Sequence, residues 1–586
     1  MNFIKRVFST VIGIFVFLFI CFGFLIIIGM LFGSSSKEAV VVKDNSILEL
    51  KLDFPIKDYA AKTTFKEYPF LDTDEKNGLF DLIYAIDYAA TDAKIKGISI
   101  DNNFIMAGVS QTKALRDALV RFKESGKFIM SYGDIYSQKD YYLNSVADTL
   151  FLNPVGLIEF KGLSTERLYF KDFQEKSGIK MEVVRLGKYK SAVEPYLENE
   201  MSDNNREQIS AYLNGIWTEI KKDISISRNI STETLNTIAE NLESRTPELA
   251  LKSGLIDKIA YHDEYLNSIK NNIGINNNDE LNTVEIEDYA SYAANKKPYS
   301  IKNKIAVIYT EGQIFYGEGD ETYVGQGAVN KALEEARNND KIKAIVLRVN
   351  SPGGSALASE LIWREVDLTK KVKPVIVSMG DVAASGGYYI ACNANKIFAE
   401  PTTITGSIGV FGTLPNVKGL ADKWGINAEQ VVTNKNAVTY SFFEPMDDGQ
   451  RAFIKESISS VYDLFTNRVA QGRGMSQEAV HNIAQGRVWT GVDAVTNGLV
   501  DELGGLDEAI KYAAKLVEIE DYMTTEYPIF EKDLDKMLQG FGLIQSKEDL
   551  IKEELGDENY KILQEVKAMT KQKGVQLMFP FATEIK

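Results

Sequence analysis

Cysteine and histidine are almost missing from this chain of 586 residues: there are two of each, Cys21 and Cys392, His262 and His481. Two cysteines, one of them inside an apolar run, build neither a disulfide framework nor a cysteine-based zinc site. Two histidines allow a His-dependent mechanism only if one of them is the catalytic group. Positive charge is also in deficit, 66 Lys and Arg against 82 Asp and Glu for a net charge of −16, which argues against a nucleic-acid binder. What is present is a globular composition, 45% hydrophobic and 25% charged, with length for two large domains or roughly four ordinary ones.

Charge is wholly absent from Val7 to Gly33, whose middle reads IGIFVFLFICFGFLIIIGMLF. A bilayer core takes about 20 apolar residues. Lys5 and Arg6 ahead of the run put the N-terminus in the cytoplasm and everything after Ser34 across the membrane. The expectation is a single-pass transmembrane anchor with its cytoplasmic tip in residues 1–33. The alternative, a cleaved signal peptide, has a shorter apolar core of about 7 to 15 residues and an A-x-A-like site that does not follow here.

Past the anchor, SYGDIYSQKDYYLNSVADTLFLNP (131–154) and SMGDVAASGGYYIACNANKIFAEP (378–401) align at an offset of 247 with eight of 24 positions identical. Composition alone gives roughly one or two matches in such a window. Farther on, GLID (254–257) answers GLVD (498–501), and an internal duplication accounts for both. Each copy alternates apolar strand-like runs with helical patterns, as in AIVLRVN, the helix-like ALASELIWREVDLTKK and PVIVSMG, which implies parallel sheet. Ala114, Leu115, Ala118, Leu119 and Phe122 fall at helical spacing as core. The expected domains are two α/β repeats, 45–270 and 301–520, joined by an Asn-rich linker, 271–300, and followed by a mostly helical, charged tail, 521–586.

The second copy has two glycine-flanked turns at strand ends, where parallel sheets gather ligands. One is Asn350-Ser351-Pro352-Gly353-Gly354-Ser355; the other runs from Gly380 through Ser385 to Tyr388. Small neighbours let the Ser385 hydroxyl stand clear, while Gly353 or Gly354 and Gly386 can aim backbone N–H groups at a developing oxyanion. The competing reading is a pair of ordinary tight turns. At the 247 offset Ser385 faces Gln138, and Gly353 and Gly354 face Met106 and Ala107, so the first copy lacks the serine and the glycine loop. A serine nucleophile needs a base. Neither histidine is near these turns, and each sits in a polar helical context, which leaves lysine as the remaining candidate. Lys190, in LGKYKSAVEP, is bracketed by small residues and a proline, and it faces Ala437 in the second copy. A surface lysine is the common alternative. Asp381, in a Gly-Asp turn, fits a cap on a local backbone group and stays outside the expected site.

NSPGGS, GDVAASGGYY, TGSIGVFG and GKYKSAVEP together resemble the long, duplicated form of bacterial signal peptide peptidase A, or protease IV. The resemblance covers nearly all of the chain after the anchor. It implies two tandem Clp-protease/crotonase-like domains and a Ser/Lys dyad, with Ser385 as nucleophile, Lys190 as general base and Ser407 in TGSIG orienting that lysine. It also implies a membrane-bound homotetramer with the site between the two domains of one protomer. The body would lie on the periplasmic side of a bacterial inner membrane, with remnant signal peptides and other apolar peptides as substrates. No metal or organic cofactor is called for. A lysine base must be neutral to act, so its pKa must fall from about 10.4 to about 7.5, about 4 kcal/mol; burial between the domains is the expected source, with repulsion from Arg185 or Lys188 as a second. Two other classes stay open: a crotonase-like acyl-thioester enzyme and a non-catalytic scaffold.

Overall fold

The computed structural model describes residues 12–20, 22–24, 40–60, 63–64, 78–296, 301–531 and 576–578. Two ladders of six strands run in the same order. The first is Lys258–Ile259, Thr149–Ile158, Phe128–Tyr136, Ile95–Asp101, Ser46–Glu49 and Thr283–Glu285. The second is Glu502–Leu503, Lys396–Ala399, Val375–Ala384, Ile342–Ser351, Lys304–Glu311 and Met523–Tyr527. All of these pairings are parallel. Parallel strands covered on both faces read as unbroken apolar runs, and Ala344 to Val349 are all buried, Arg348 among them.

The helices repeat as the strands do. In the helix Leu79–Thr91 the buried residues include Leu82, Ala85, Ile86 and Ala89. In the helix Gln326–Asn338 they are Val329, Ala332, Leu333 and Ala336, each 247 residues on. Both sets are one stripe at three- and four-residue spacing. Leu115, Ala118, Leu119 and Phe122 lie fully buried in the helix Val109–Lys123, with Ala114 packed at the edge of that core. The helix Ala356–Lys370 takes the matching place in the second copy and opens on Ser355, whose side chain accepts from Ala358 N–H, a common N-cap.

Two expectations change, and the anchor is described only in part. Residues 271–300 are not a linker throughout: Thr283–Glu285 pairs with Ser46–Glu49, and the helix Ile286–Ala294 buries Ile286, Tyr289, Ala290 and Ala293 in the first core. The Asn-rich composition ends before this stripe begins. The tail is not mostly helical where it is described. Met523–Tyr527 closes the edge of the second ladder on Lys304–Glu311, and Gln576–Met578 is also a strand, while residues 532–575 lie outside the described residues. β-Branched and aromatic residues in MTTEY suit a strand edge better than a charged helix. Of the expected anchor, residues 12–20 and 22–24 are helical with Phe15, Phe17 and Phe19 exposed. Among the described residues no helix is long and apolar enough to cross a membrane; the remainder of that run lies outside them.

One element leaves its own copy. The strand Lys180–Leu186 of the first repeat pairs antiparallel with Val410–Asn416 of the second, from Val410 opposite Leu186 to Asn416 opposite Lys180. The segments 247 residues away from each, 427–433 and 163–169, are not strands. The pair is therefore made once, with one strand from each copy.

Candidate active site

The crossing strands set the site. Past Leu186 the first chain segment turns at Gly187, φ +99°, and reaches Lys190; just before Val410 the second passes Ser407. Antiparallel register therefore puts Lys190 beside Ser407. The Lys190 Nζ lies 2.9 Å from Ser407 Oγ, 3.0 Å from the Ser407 carbonyl oxygen and 2.8 Å from Ser385 Oγ. All three residues are fully buried. The carbonyl can only accept, so it takes one amine N–H, which leaves the lone pair of a neutral amine free to face a serine hydroxyl.

Ser385 ends the strand Val375–Ala384 and opens the short helix Gly386–Ala391. Its backbone sits at φ +56°, ψ −113°, a conformation uncommon for a residue with a side chain and often kept at functional turns. Its N–H donates to the Gly406 carbonyl at 2.8 Å. The neighbours must be small. A Cβ on Gly386 would lie 2.7 Å from Ser359 Oγ and 3.1 Å from both Gly353 Cα and Gly354 N, and one on Gly387 would lie 2.5 Å from the Ser351 carbonyl. The two glycine turns read separately in the sequence thus lie against each other, with Ser385 at their junction.

Burial alone holds the Lys190 amine well below the ordinary lysine range. Repulsion from Arg185 or Lys188 plays no part: the Arg185 guanidinium donates to the Lys190 carbonyl at 3.4 Å, and the Lys188 amine sits over the Tyr189 ring. The histidines stay apart as expected, His262 paired with Asp101 and His481 bonded to the Tyr462 hydroxyl at 3.0 Å. Asp381 does cap backbone, but across the repeat and not locally: it accepts from Ser110 N–H at 2.7 Å, at the start of the helix Val109–Lys123.

Residues with no local signal hold the lysine in place. Gln208, buried on the helix Asp203–Arg228, donates to the Tyr189 carbonyl at 3.0 Å and to Ser191 Oγ at 2.9 Å, the two residues that flank Lys190. Its oxygen accepts from Val488 N–H at 3.4 Å. Arg487 lies between the rings of Tyr189 and Trp489, and its carbonyl accepts from Ser407 N–H at 2.7 Å. Gly486 and Gly409 close the space: a Cβ on Gly486 would lie 2.6 Å from Lys190 N, and one on Gly409 3.2 Å from Lys190 Cδ. Gly409 stands within TGSIGVFG without an assigned role, whereas Gln208 sits in a polar helix that reads like any solvated one.

Next to the glycine turns a cavity of about 520 Å³ separates Met106, Ala107 and Gly108 of the first copy from Asn350, Pro352 and Val382 of the second. The SPGGS turn and its diverged counterpart face each other across it.

The profile of peptidase family S49 matches residues 121–276 and 367–520, one match in each copy. This chain belongs to peptidase family S49. It is a serine protease. Over 514 residues it is 36% identical to Protease 4 of Haemophilus influenzae, which covers 85% of this chain and 83% of that one. With Protease 4 of Salmonella typhi it shares 37% over 476 residues, 79% and 76% of the two chains. The chloroplastic serine protease SPPA of Arabidopsis thaliana is 35% identical over 441 residues, 74% of this chain and 64% of the relative. The S49 matches reach across both repeats, as does the constellation around Lys190 and Ser385.

Proposed function

We propose that this S49 protease is a membrane-anchored endopeptidase that cuts apolar peptides, remnant signal peptides among them, with Ser385 as nucleophile and Lys190 as general base. The observation that carries the reading is the 2.8 Å approach of a buried lysine amine to a serine hydroxyl held at a strand-to-helix turn. Ser385 Oγ attacks the peptide carbonyl while Lys190 takes the hydroxyl proton. Lys190 returns that proton to the leaving amine, and water then cleaves the ester to free the second product. Ser407 holds the amine through its hydroxyl and its carbonyl. Backbone N–H groups of Gly353, Gly354 and Gly386 are assigned to the oxyanion.

The uncharged run from Val7 to Gly33 behind Lys5 and Arg6 supports an anchor in a bacterial inner membrane, with the N-terminus cytoplasmic and the body periplasmic. Its place beside the bilayer favours apolar peptides as substrates. The duplicated parallel sheets support the Clp-protease/crotonase-like assignment, and the exposed apolar side chains of Trp424, Ile426, Val431 and Phe453 support a homotetramer that buries apolar surface.

The test is hydrolysis of an apolar signal-peptide-like substrate by the full chain in detergent, beside Ser385→Ala and Lys190→Ala. Both variants are expected to lose at least about 10³-fold in kcat with the fold unchanged. Activity retained in Lys190→Ala would remove the lysine from the mechanism, and activity retained in Ser385→Ala would remove the dyad altogether.

A further inference from the structure

Glu400 directly follows the strand Lys396–Ala399 and faces a cavity of about 320 Å³ between the repeats. Leu79, Phe80 and Asp117 of the first and Leu503, Gly505 and Glu508 of the second are among its walls. The residue is 5% exposed, and among the described residues its carboxyl group makes no hydrogen bond. A buried polar group costs free energy until something pairs with it. In the first repeat that pairing is made: at the 247 offset Glu400 answers Asn153, whose amide donates to the Tyr132 hydroxyl at 3.1 Å and to the Asp134 carboxylate at 2.8 Å.

The basic side chains of the cavity are engaged elsewhere. Arg348 donates to Asp58, Lys113 to Asp117 and Arg121 to Asp87. On the acidic side, Glu508 uses one oxygen to accept from Gly505 N–H at 2.9 Å, ahead of the helix Leu506–Leu516, and Asp507 holds Lys511. A Cβ on Gly505 would lie 2.5 Å from Glu400 Oε1 and 3.4 Å from Glu508 Oε2, so two carboxylates face the space that this glycine leaves bare. With Asp58, Asp117 and Asp507, five acids meet three bases around the cavity, and the balance favours a cation. A divalent metal ion takes six or more oxygen ligands, and among the described residues no group of three His, Cys, Asp or Glu is placed to hold one. An ammonium group asks only for acceptors to its three N–H bonds, and the apolar walls at Leu79, Phe80 and Leu506 suit a hydrocarbon stem behind it.

We propose that this cavity binds a small organic cation, a primary ammonium on a short apolar stem, with its head between Glu400 and Glu508 and its stem on Leu79, Phe80 and Leu506. The volume is at the lower end of the roughly 300 to 1,000 Å³ of ligand pockets, which fits a free amine better than a peptide. Because the walls come from both repeats, the bound cation ties the repeats together and stabilises the folded chain by mass action. Burial, then repulsion from Asp117 and more weakly from Glu508, pushes the Glu400 carboxyl up to about 8 against the pull of Lys113 and Arg348. Below that pH the cation has to displace a proton, so binding tightens by about tenfold per pH unit toward pH 8 and levels off above it.

The experiment is isothermal titration calorimetry of the full chain in detergent with n-butylammonium, at pH 6 to 9 in two buffers of different protonation enthalpy. Parallel titrations use 1-butanol, Mg²⁺ and N-acetyl-lysine amide. One butylammonium is expected to bind per chain, to release close to one proton at pH 6 and little at pH 9, and to raise the Tm, whereas butanol does none of these. Glu400→Gln should lose at least about tenfold in affinity at pH 8 together with the proton release. Glu508→Gln, at an exposed position and still able to accept from Gly505 N–H, should weaken binding with the fold unchanged. No binding of butylammonium, or binding that Glu400→Gln leaves unchanged at every pH, would overturn the proposal. So would Mg²⁺ binding in place of the amine, which would make this a metal site, and binding of the lysine amide alone, which would make it a pocket for a peptide side chain.

Discussion

An ammonium group is not stable where Lys190 ends. Its neighbours are two hydroxyls and a carbonyl, among the described residues no carboxylate bonds to it, and burial pushes its pKa well down. In the unfolded chain the same amine keeps its proton up to about pH 10.5, so folding releases a proton. The sign follows: the penalty for burying the amine is full below its folded pKa and fades as pH rises toward the unfolded value, so stability climbs with pH. Lys190→Met keeps the stem and drops the titration. Relative to this variant, wild type should gain stability between pH 7 and pH 10, with a slope of up to about 1.4 kcal/mol per pH unit, read from urea unfolding at several pH values. Parallel curves would mean that the amine is charged in the folded protein. The same property predicts that kcat/KM rises along an acid limb as Lys190 loses its proton.

At the scale of elements the crossing strand pair decides whether the site exists. Leu186 opposite Val410 fixes how far the two segments run on before Lys190 and Ser407 meet. The loop that carries Gly486 presses on this junction from outside, at φ +82° and with no space for a Cβ beside Lys190 N. Gly486→Ala should therefore displace the lysine, and a 1 Å error in such a site costs about 10²-fold. The expected result is a fall of that size in kcat with KM and near-UV circular dichroism unchanged; an unaltered kcat would show that the loop does not position the base. This element also marks the limit of reading the chain alone. Apolar runs announce the parallel strands, and the 247-residue offset exposes the paired helices, because both are periodic within one segment. KMEVVRL has no such advertisement of its partner. Its counterpart in the second copy is not a strand, so symmetry between the copies misleads just where they diverge. Ser385 and the glycine turns are legible because strained and crowded backbone needs small residues; Gln208 and Arg487 are not, since their roles come only from what the fold brings next to them.

Across the whole molecule each repeat supplies one member of the proposed dyad, Lys190 from the first and Ser385 from the second, within one chain. Mixing Ser385→Ala chains with Lys190→Ala chains should then recover no activity; recovery would mean that the lysine reaches across protomers. Besides the crossing strands and the packing of Val382, Ala384, Ile404 and Val488 into the first core, a buried ion pair holds the halves together. The Asp58 carboxylate of the first repeat accepts from Arg348 Nε of the second at 2.9 Å, both buried. Removing one member of such a pair costs about 3–5 kcal/mol, so Asp58→Ala is expected to lower the unfolding free energy by that much and to separate the repeats before either unfolds, which calorimetry would resolve as two transitions in place of one.

Acids around this interface make it sensitive to pH in the direction opposite to Lys190. Glu400 lines a cavity of about 320 Å³ with Lys113, Asp117, Arg348 and Glu508. Burial, then repulsion from Asp117, pushes it up to about 8, against the pull of Lys113 and Arg348. Glu311 is likewise raised to about 8 by burial and by Asp58, and Asp381 to about 6 by the same two causes. The unfolded chain gives up these protons near pH 4 to 4.5, whereas the folded chain keeps them longer, so the folded state binds more protons over that window and stability falls as pH rises through it. For Glu400 the window runs from about pH 4.5 to about pH 8. Glu400→Gln keeps the neutral form at every pH. Taken as a difference from wild type it cancels whatever Lys190, Glu311 and Asp381 contribute, because those groups are common to both proteins. The variant should match wild type near pH 5 and exceed it by on the order of a few kcal/mol at pH 8 to 9, measured by urea unfolding. Two stability curves that stay parallel from pH 5 to pH 9 would mean that Glu400 is already ionised in the folded chain, and that its cavity is wet enough to bear the charge.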